Sequence, residues 1–168
     1  MPHIQAIAID LPQVAPIAQK IVDSDGAADR VRVLAADVLS GPVPGSYDIV
    51  IVRALLQVLS SEDARLAVKN VAAAINPDGR IYIIGQILDD SRISPPEAVG
   101  FNLSLISQFD SGESYTEQEH RSWLSDAGLM EIERANFLLP DEHGVTTARK
   151  RESSSVASGK QHSYGRIA

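Results

Sequence analysis

Cysteine is absent from the 168 residues. That excludes disulfides, thiolate metal sites and a cysteine nucleophile, and it suits a reducing compartment. A basic surplus is missing too. Fifteen Lys and Arg stand against 22 Asp and Glu, a formal net charge of −7, so no basic surface points to nucleic acid or an anionic membrane as partner. No apolar run reaches the ~18 residues of a membrane span, and Met1-Pro2-His3 opens neither a charged nor an apolar leader. The four His are scattered without H-x-x-x-H spacing, which argues against a metal site. There is no Gly-x-Gly turn, no P-loop and no Gly-x-Ser-x-Gly elbow. The expectation is a soluble, cytoplasmic protein acting on a small molecule, with no metal, no nucleic acid and no membrane.

What is present is enough for one domain. Hydrophobic residues make up 44% and charged residues 22%, a globular balance that can build a core. Short Ile- and Val-rich runs alternate with stretches of helical period, which predicts an α/β class built on a mostly parallel sheet. Strands are expected from Ile4 to Asp10, Val31 to Ala36, Tyr47 to Val52 and Arg80 to Ile84. Between the last two, Ala64, Val68, Val71 and Ile75 share one helical face, capped by Ser60 or Ser61 and stopped by Asn76-Pro77-Asp78-Gly79. A loop from Leu88 to Gly100 precedes a helix near Ala98 to Phe109. Thr116-Glu117-Gln118-Glu119 is a capping box for the next helix, which ends at Gly128. Met130 to Asn136 and Val145 to Lys150 read as a closing antiparallel pair joined across Pro140 to Gly144. The domain covers 1–150, and the polar stretch 151–168 reads as a disordered tail.

Two acidic residues stand where strands end. Asp10, after the first run, is placed to accept hydrogen bonds from ribose hydroxyls, and Asp37, after the second, from an adenine amino group while Val38 packs on the ring. The alternative is that each carboxylate caps a local turn. A nucleotide fold of this kind carries a Gly-rich turn about 20 residues before the ribose acid, whereas Asp10 has only nine residues ahead of it. Either a central strand and its loop are missing, leaving two strands with unpaired edges, or this sheet binds no such cofactor. Arg53 and Gln57, following the third strand, would face cofactor and substrate respectively, or be a surface cation and a loop amide. Glu113, His120, Asp89 and Asp90 are further polar candidates, whose simpler reading is that of solvated loop acids and a solvated helix-surface His.

The segments AIDLPQV, RVRVLAADVL, YDIVIVRALLQVLSSEDA, NVAAAINPDGRIYIIGQIL and ESYTEQEHRSWLSDAGL follow in the order and spacing of a known family. Together, over Ile4 to Lys150, the chain resembles the metal-independent small-molecule O-methyltransferases, the plant caffeate-type family and its bacterial relatives. The resemblance implies a Rossmann-like class I methyltransferase sheet without its first strand and Gly-rich loop, and S-adenosyl-L-methionine as cofactor. It places Asp10 and Leu11 at the ribose, Asp37 and Val38 at the adenine, and Arg53 where the family commonly has a cofactor-contacting Lys. The family's catalytic His falls at Gln57, and two flanking Glu fall at Gly85 and Ser114. A neutral amide takes no proton near pH 7. The family's homodimer rests on an N-terminal domain that these residues do not contain.

The function implied by the resemblance is methyl transfer to the hydroxyl of a small, aromatic or polyketide-like molecule. Positioning replaces the His base, and Gln57 and Asn102 orient the acceptor. A methyltransferase-like binding or assembly module without catalysis is the alternative. A nicotinamide-dependent oxidoreductase shares the ribose acid and explains nothing after Asp37.

Overall fold

The computed structural model of the chain describes residues 4–135 and 144–152. Among the described residues, six strands and four helices follow in the order β1 (Ala6–Asp10), α1 (Ala15–Ser24), β2 (Val31–Ala35), β3 (Tyr47–Arg53), α2 (Ser61–Ala73), β4 (Ile75–Ile84), α3 (Pro96–Gln108), α4 (Glu117–Asp126), β5 (Leu129–Ala135) and β6 (Val145–Lys150). A single 3₁₀ turn, Leu56–Val58, links β3 to α2. The loop joining β5 to β6 and most of the expected tail, from residue 153, lie outside the described residues. No helix among the described residues is long and apolar enough to cross a membrane.

The strands form two sheets. β1 and β2 pair in parallel, while the second sheet runs β3-β4-β6-β5. Within it β3 and β4 are parallel, and β6 is antiparallel to both β4 and β5. The parallel pairs and the closing antiparallel hairpin expected from the sequence are both present among the described residues, with β6 seated between β4 and β5. The break falls between β1 and β3, where the resemblance leaves out a strand.

Local chemistry explains most of the boundaries. Ser60 caps α2 by accepting a hydrogen bond from the Asp63 amide at 3.1 Å, and Glu62 and Asp63 place negative charge on the positive end of the helix. At α4 the Thr116 hydroxyl accepts from the Glu119 amide while the Glu119 carboxylate accepts from the Thr116 amide, so the capping box is complete. One boundary differs from the sequence pattern. α2 ends at Ala73 rather than at the Asn76–Gly79 cluster, and Ile75 pairs with Tyr47 as the first residue of β4. Burial of Ile75 to 3% exposure and its ladder bonds outweigh the turn chemistry. Pro77 and Gly79 are then carried in an irregular stretch of strand, with Asp78 at φ +63° and a register shift between Tyr47 and Ile49.

The core lies over the four-stranded sheet. Ala64, Ala67, Val68 and Val71 of α2 pack with Val52, Ile81 and Ile83, and Trp123 and Leu124 of α4 close the same cluster. One face of β3 is thus covered. The other shows Ile49 and Ile51 to solvent at 62% and 63% exposure.

Candidate functional site

Asp10 is the last residue of β1, paired with Ala35 of β2, and its carbonyl accepts the Ala36 amide at 2.9 Å. Asp37 follows one residue later, so both carboxylates stand at the same end of adjacent parallel strands. Their surroundings differ. Asp10 is exposed, and its Oδ1 accepts the Leu11 amide at 2.8 Å. Asp37 spends both oxygens locally, Oδ1 accepting from the Leu39 amide at 2.9 Å and Oδ2 from the Ser40 hydroxyl at 3.1 Å. The turn-capping role weighed for both Asp is thus realised at Asp37, where it shapes the turn that presents Val38.

A cleft of about 320 Å³ opens between β1 and β3, lined by Ile9, Asp10, Val38, Arg53, Ala54 and Leu55 among others. It brings together three of the five expected cofactor residues. Leu11 is 40% exposed just beyond it, and Asp37 stands behind Val38. Ala54 takes φ +53° at the end of β3, a left-handed conformation costly for a residue with a Cβ. It redirects the chain so that Arg53 also borders a second, more open cleft of about 380 Å³ with Gln57, Gly85, Gln86 and Phe101. Arg53 and Ala54 are the shared wall.

Gln57 is held closely from two sides. A Cβ on Gly85 would lie 2.9 Å from Gln57 Oε1, and one on Gly112 would lie 2.8 Å from its carbonyl oxygen. Gly112 needs glycine for this approach to the backbone, whereas at Gly85 the flexible Gln57 amide could shift aside. Among the described residues, the titratable groups that share a small pocket with Gln57 are poor bases. Tyr115 and His120 border a small pocket with it, yet burial pushes the Tyr115 hydroxyl up to about 12, helped by Glu113. That hydroxyl donates to the Leu59 carbonyl at 2.6 Å. Burial, and then the charge of Arg134, push His120 down to about 4.

The other polar candidates serve the scaffold. Asp89 accepts from the Ser94 hydroxyl at 2.6 Å and from Arg134 at 2.7 Å, and these two bonds hold its carboxyl below the usual range. Asp90 accepts the Gln118 amide at the start of α4, and Glu113 pairs with Arg92 at 3.0 Å. Asn102 Oδ1 accepts the Ser114 amide at 2.6 Å, tying α3 to the segment before α4. Its neighbour Phe101 is the α3 side chain that lines the open cleft. Ser114 is fully buried, and its hydroxyl has no hydrogen-bond partner among the described residues.

Sequence reasoning missed Asn70. It lies on the apolar face of α2, is 7% exposed, and its Nδ2 donates to the Val38 carbonyl at 2.7 Å. A polar residue three after Ala67 and beside Val71 on a buried stripe was the available signal. Asn70→Ala is expected to cost about 1–3 kcal/mol of stability in urea denaturation, since the Val38 carbonyl loses its partner. A loss below about 0.5 kcal/mol would show that water replaces the amide.

Residues 1–130 match the family model of the O-methyltransferase domain. The chain belongs to this family. The O-methyltransferase domain is 27% identical over 149 residues to the 3-hydroxy-5-methyl-1-naphthoate 3-O-methyltransferase of Streptomyces sahachiroi, covering 89% of this chain and 43% of the relative. It is 29% identical to the tetracenomycin polyketide synthesis 8-O-methyl transferase of Streptomyces glaucescens, over 83% of this chain and 41% of the relative. The solved structure of PigF with SAH, a methyltransferase of Serratia, shares the fold at TM-score 0.79 and 22% identity, covering 89% of this chain and 44% of that one. The chain thus spans less than half the length of these relatives.

Proposed function

We propose that this chain is the part of an S-adenosylmethionine-dependent O-methyltransferase that holds the adenosine end of the cofactor and orients an acceptor hydroxyl. The acceptor is an acidic hydroxyl on a small aromatic or polyketide-like molecule, the class named in the two Streptomyces relatives. The observation that carries the reading is the shared wall at Arg53 and Ala54, which joins a cleft ending in Asp10 and Val38 to one containing Gln57.

The residues fit the cofactor's adenosine end. The exposed Asp10 carboxylate, at the end of β1 and lining the cleft, suits a ribose hydroxyl. Val38 offers an apolar surface for adenine, with Leu11 and Asp37 framing it. When bound, the cofactor supplies an electrophilic methyl group on a sulfonium. Gln57 donates from Nε2 toward the acceptor oxygen, and the positive charge of Arg53 favours that oxygen as an anion. With Tyr115 too weak an acid and His120 too weak a base, the acceptor's proton leaves to water before transfer. Alignment of the oxyanion then contributes several kcal/mol to the rate.

Calorimetric titration with S-adenosylhomocysteine tests the cofactor side. Asp10→Ala is expected to weaken binding by about 1.5–3 kcal/mol, the loss of a hydrogen bond to a charged group. Unchanged affinity would overturn the ribose assignment. On the acceptor side, Gln57→His is expected to raise turnover of a weakly acidic phenol about tenfold. That is less than an oriented base gives, because Gly85 and Ser114 bring no carboxylate to hold the imidazole. A fall in turnover would mean that the amide has a role a base cannot replace.

A further inference from the structure

Two carboxamides line the acceptor cleft. Gln57 is one, and Gln86, just past the end of β4, is the other. They are neighbours, since a Cβ on Gly85, the residue before Gln86, would lie 2.9 Å from Gln57 Oε1. Gln86 is half-buried, and it borders the narrow pocket with Tyr115 and His120 as well as the open cleft. Its Oε1 is buried and has no hydrogen-bond partner among the described residues. The hydrogens closest along the chain and across that pocket are already committed. The Gly85 amide donates to the Gly144 carbonyl, the Tyr115 hydroxyl to the Leu59 carbonyl, and His120 Nδ1 pairs with the Thr146 hydroxyl. A buried amide oxygen without a donor is costly, and an apolar side chain of the same length would fill the position without that cost.

We propose that Gln86 selects the acceptor: its carboxamide turns toward the open cleft, and Oε1 accepts a hydrogen bond from a second group on the acceptor, an O–H or N–H next to the hydroxyl that Gln57 orients. The inference rests on the acceptor reading above and adds to it a specificity-determining residue and a required feature of the substrate. The last torsion of a glutamine side chain is soft, and Oε1 breaks no hydrogen bond to the described residues when it turns. A donor is specified, because the unpaired atom is an oxygen and can only accept. The donor sits beside the reacting hydroxyl because the two glutamines sit beside each other. An acceptor without it leaves the Gln86 oxygen unbonded, and a site built around a hydrogen bond rejects such an analogue more strongly than an apolar pocket does. One consequence concerns product. Of two adjacent hydroxyls only one would be methylated, since the first product presents a methoxy group where Gln86 needs a donor.

The test titrates the full 168-residue chain with naphthols that carry a hydroxyl, an amino group, a methoxy group or hydrogen at the position next to the phenolic hydroxyl. Affinity is read by calorimetry. The side-chain amide resonances of Gln57 and Gln86 are followed by nuclear magnetic resonance, the second assigned by its loss in Gln86→Met. The hydroxyl and amino compounds are expected to bind about tenfold more tightly than the other two and to shift both amide resonances, and the tighter of the pair identifies the donor. Gln86→Met keeps the length of the side chain and removes the amide oxygen. It should bring all the affinities within about twofold of one another and leave the unfolding midpoint unchanged or higher, because no internal hydrogen bond is lost. Equal affinities in the parent chain, a preference that survives Gln86→Met, or a lower midpoint in that variant would each overturn the proposal, the last because the amide would already be bonded within the fold. The two readings fail separately. Naphthols that bind and shift the Gln57 resonance without preferring a donor keep the acceptor cleft and remove the role of Gln86. Naphthols that do not bind, or that bind without moving either amide, remove both.

Discussion

Trp123→Ala is expected to cost about 3–5 kcal/mol of stability, the range for removing a large aromatic from a core. Trp123 is 5% exposed and packs edge-on to Tyr115, with ring centroids 4.8 Å apart and an interplanar angle of 75°. It also lies 5.6 Å from the His120 ring. Removing the indole leaves a void between α4 and the segment before it, and edge-to-face contact is lost beyond the area term. The effect extends to the site. Tyr115 donates to the Leu59 carbonyl, which closes the turn bearing Gln57, so the same substitution should loosen the acceptor cleft. Trp123 is the only tryptophan, hence the variant must be followed by circular dichroism and the parent by either probe. Tyr115→Phe isolates the hydroxyl and should cost about 1 kcal/mol. A loss under about 1 kcal/mol for Trp123→Ala would mean that α4 is held by its ion pairs and not by this cluster.

How much of this was legible depends on how local the determining physics is. The capping box at Thr116, the Ser60 cap and the β-branched runs are read within a few residues, and the structure places those elements where the pattern put them. Asp10 and Val38 meet in one cleft because parallel register carries strand ends to one edge, a rule that also follows from sequence order. Ile75 was misread because helical spacing and strand burial ask for the same apolar residue, and only the pairing with Tyr47 decides. The closing antiparallel pair is legible in its two short strands, whereas the seat of β6 beside β4 is a tertiary choice with no local signature. Asp37 and Asn102 show the opposite limit. Both residue types serve ligands and turns equally well, and the hydrogen bonds to Leu39, Ser40 and Ser114 are visible only once the backbone is placed.

Acidification from pH 7 to 4 is expected to remove about 3 kcal/mol of stability through His120 alone. The imidazole is buried, bonded through Nδ1 to the Thr146 hydroxyl at 3.2 Å, and faces the Trp123 ring. Burial first and the positive charge of Arg134 second hold it at about 4, against an ordinary 6.5. Above pH 6.5 the ring is neutral folded and unfolded, and its protonation contributes nothing. Between 6.5 and about 4 the unfolded chain takes up a proton that the folded chain refuses, so stability falls with pH throughout that window. Below about 4 both states carry the proton and this loss stops growing. Asp89, held below its usual range by Ser94 and Arg134, adds its own loss as its carboxyl protonates at lower pH. His120→Phe separates the contributions. It keeps a ring against Trp123 and leaves the Thr146 hydroxyl without its bond, a cost of about 1–3 kcal/mol that does not vary with pH. Urea midpoints for parent and variant should therefore converge as pH drops from 6.5 to 4. Parallel curves across that interval would show that the imidazole reaches solvent when it protonates, and that the pocket behind Gln57 opens in acid.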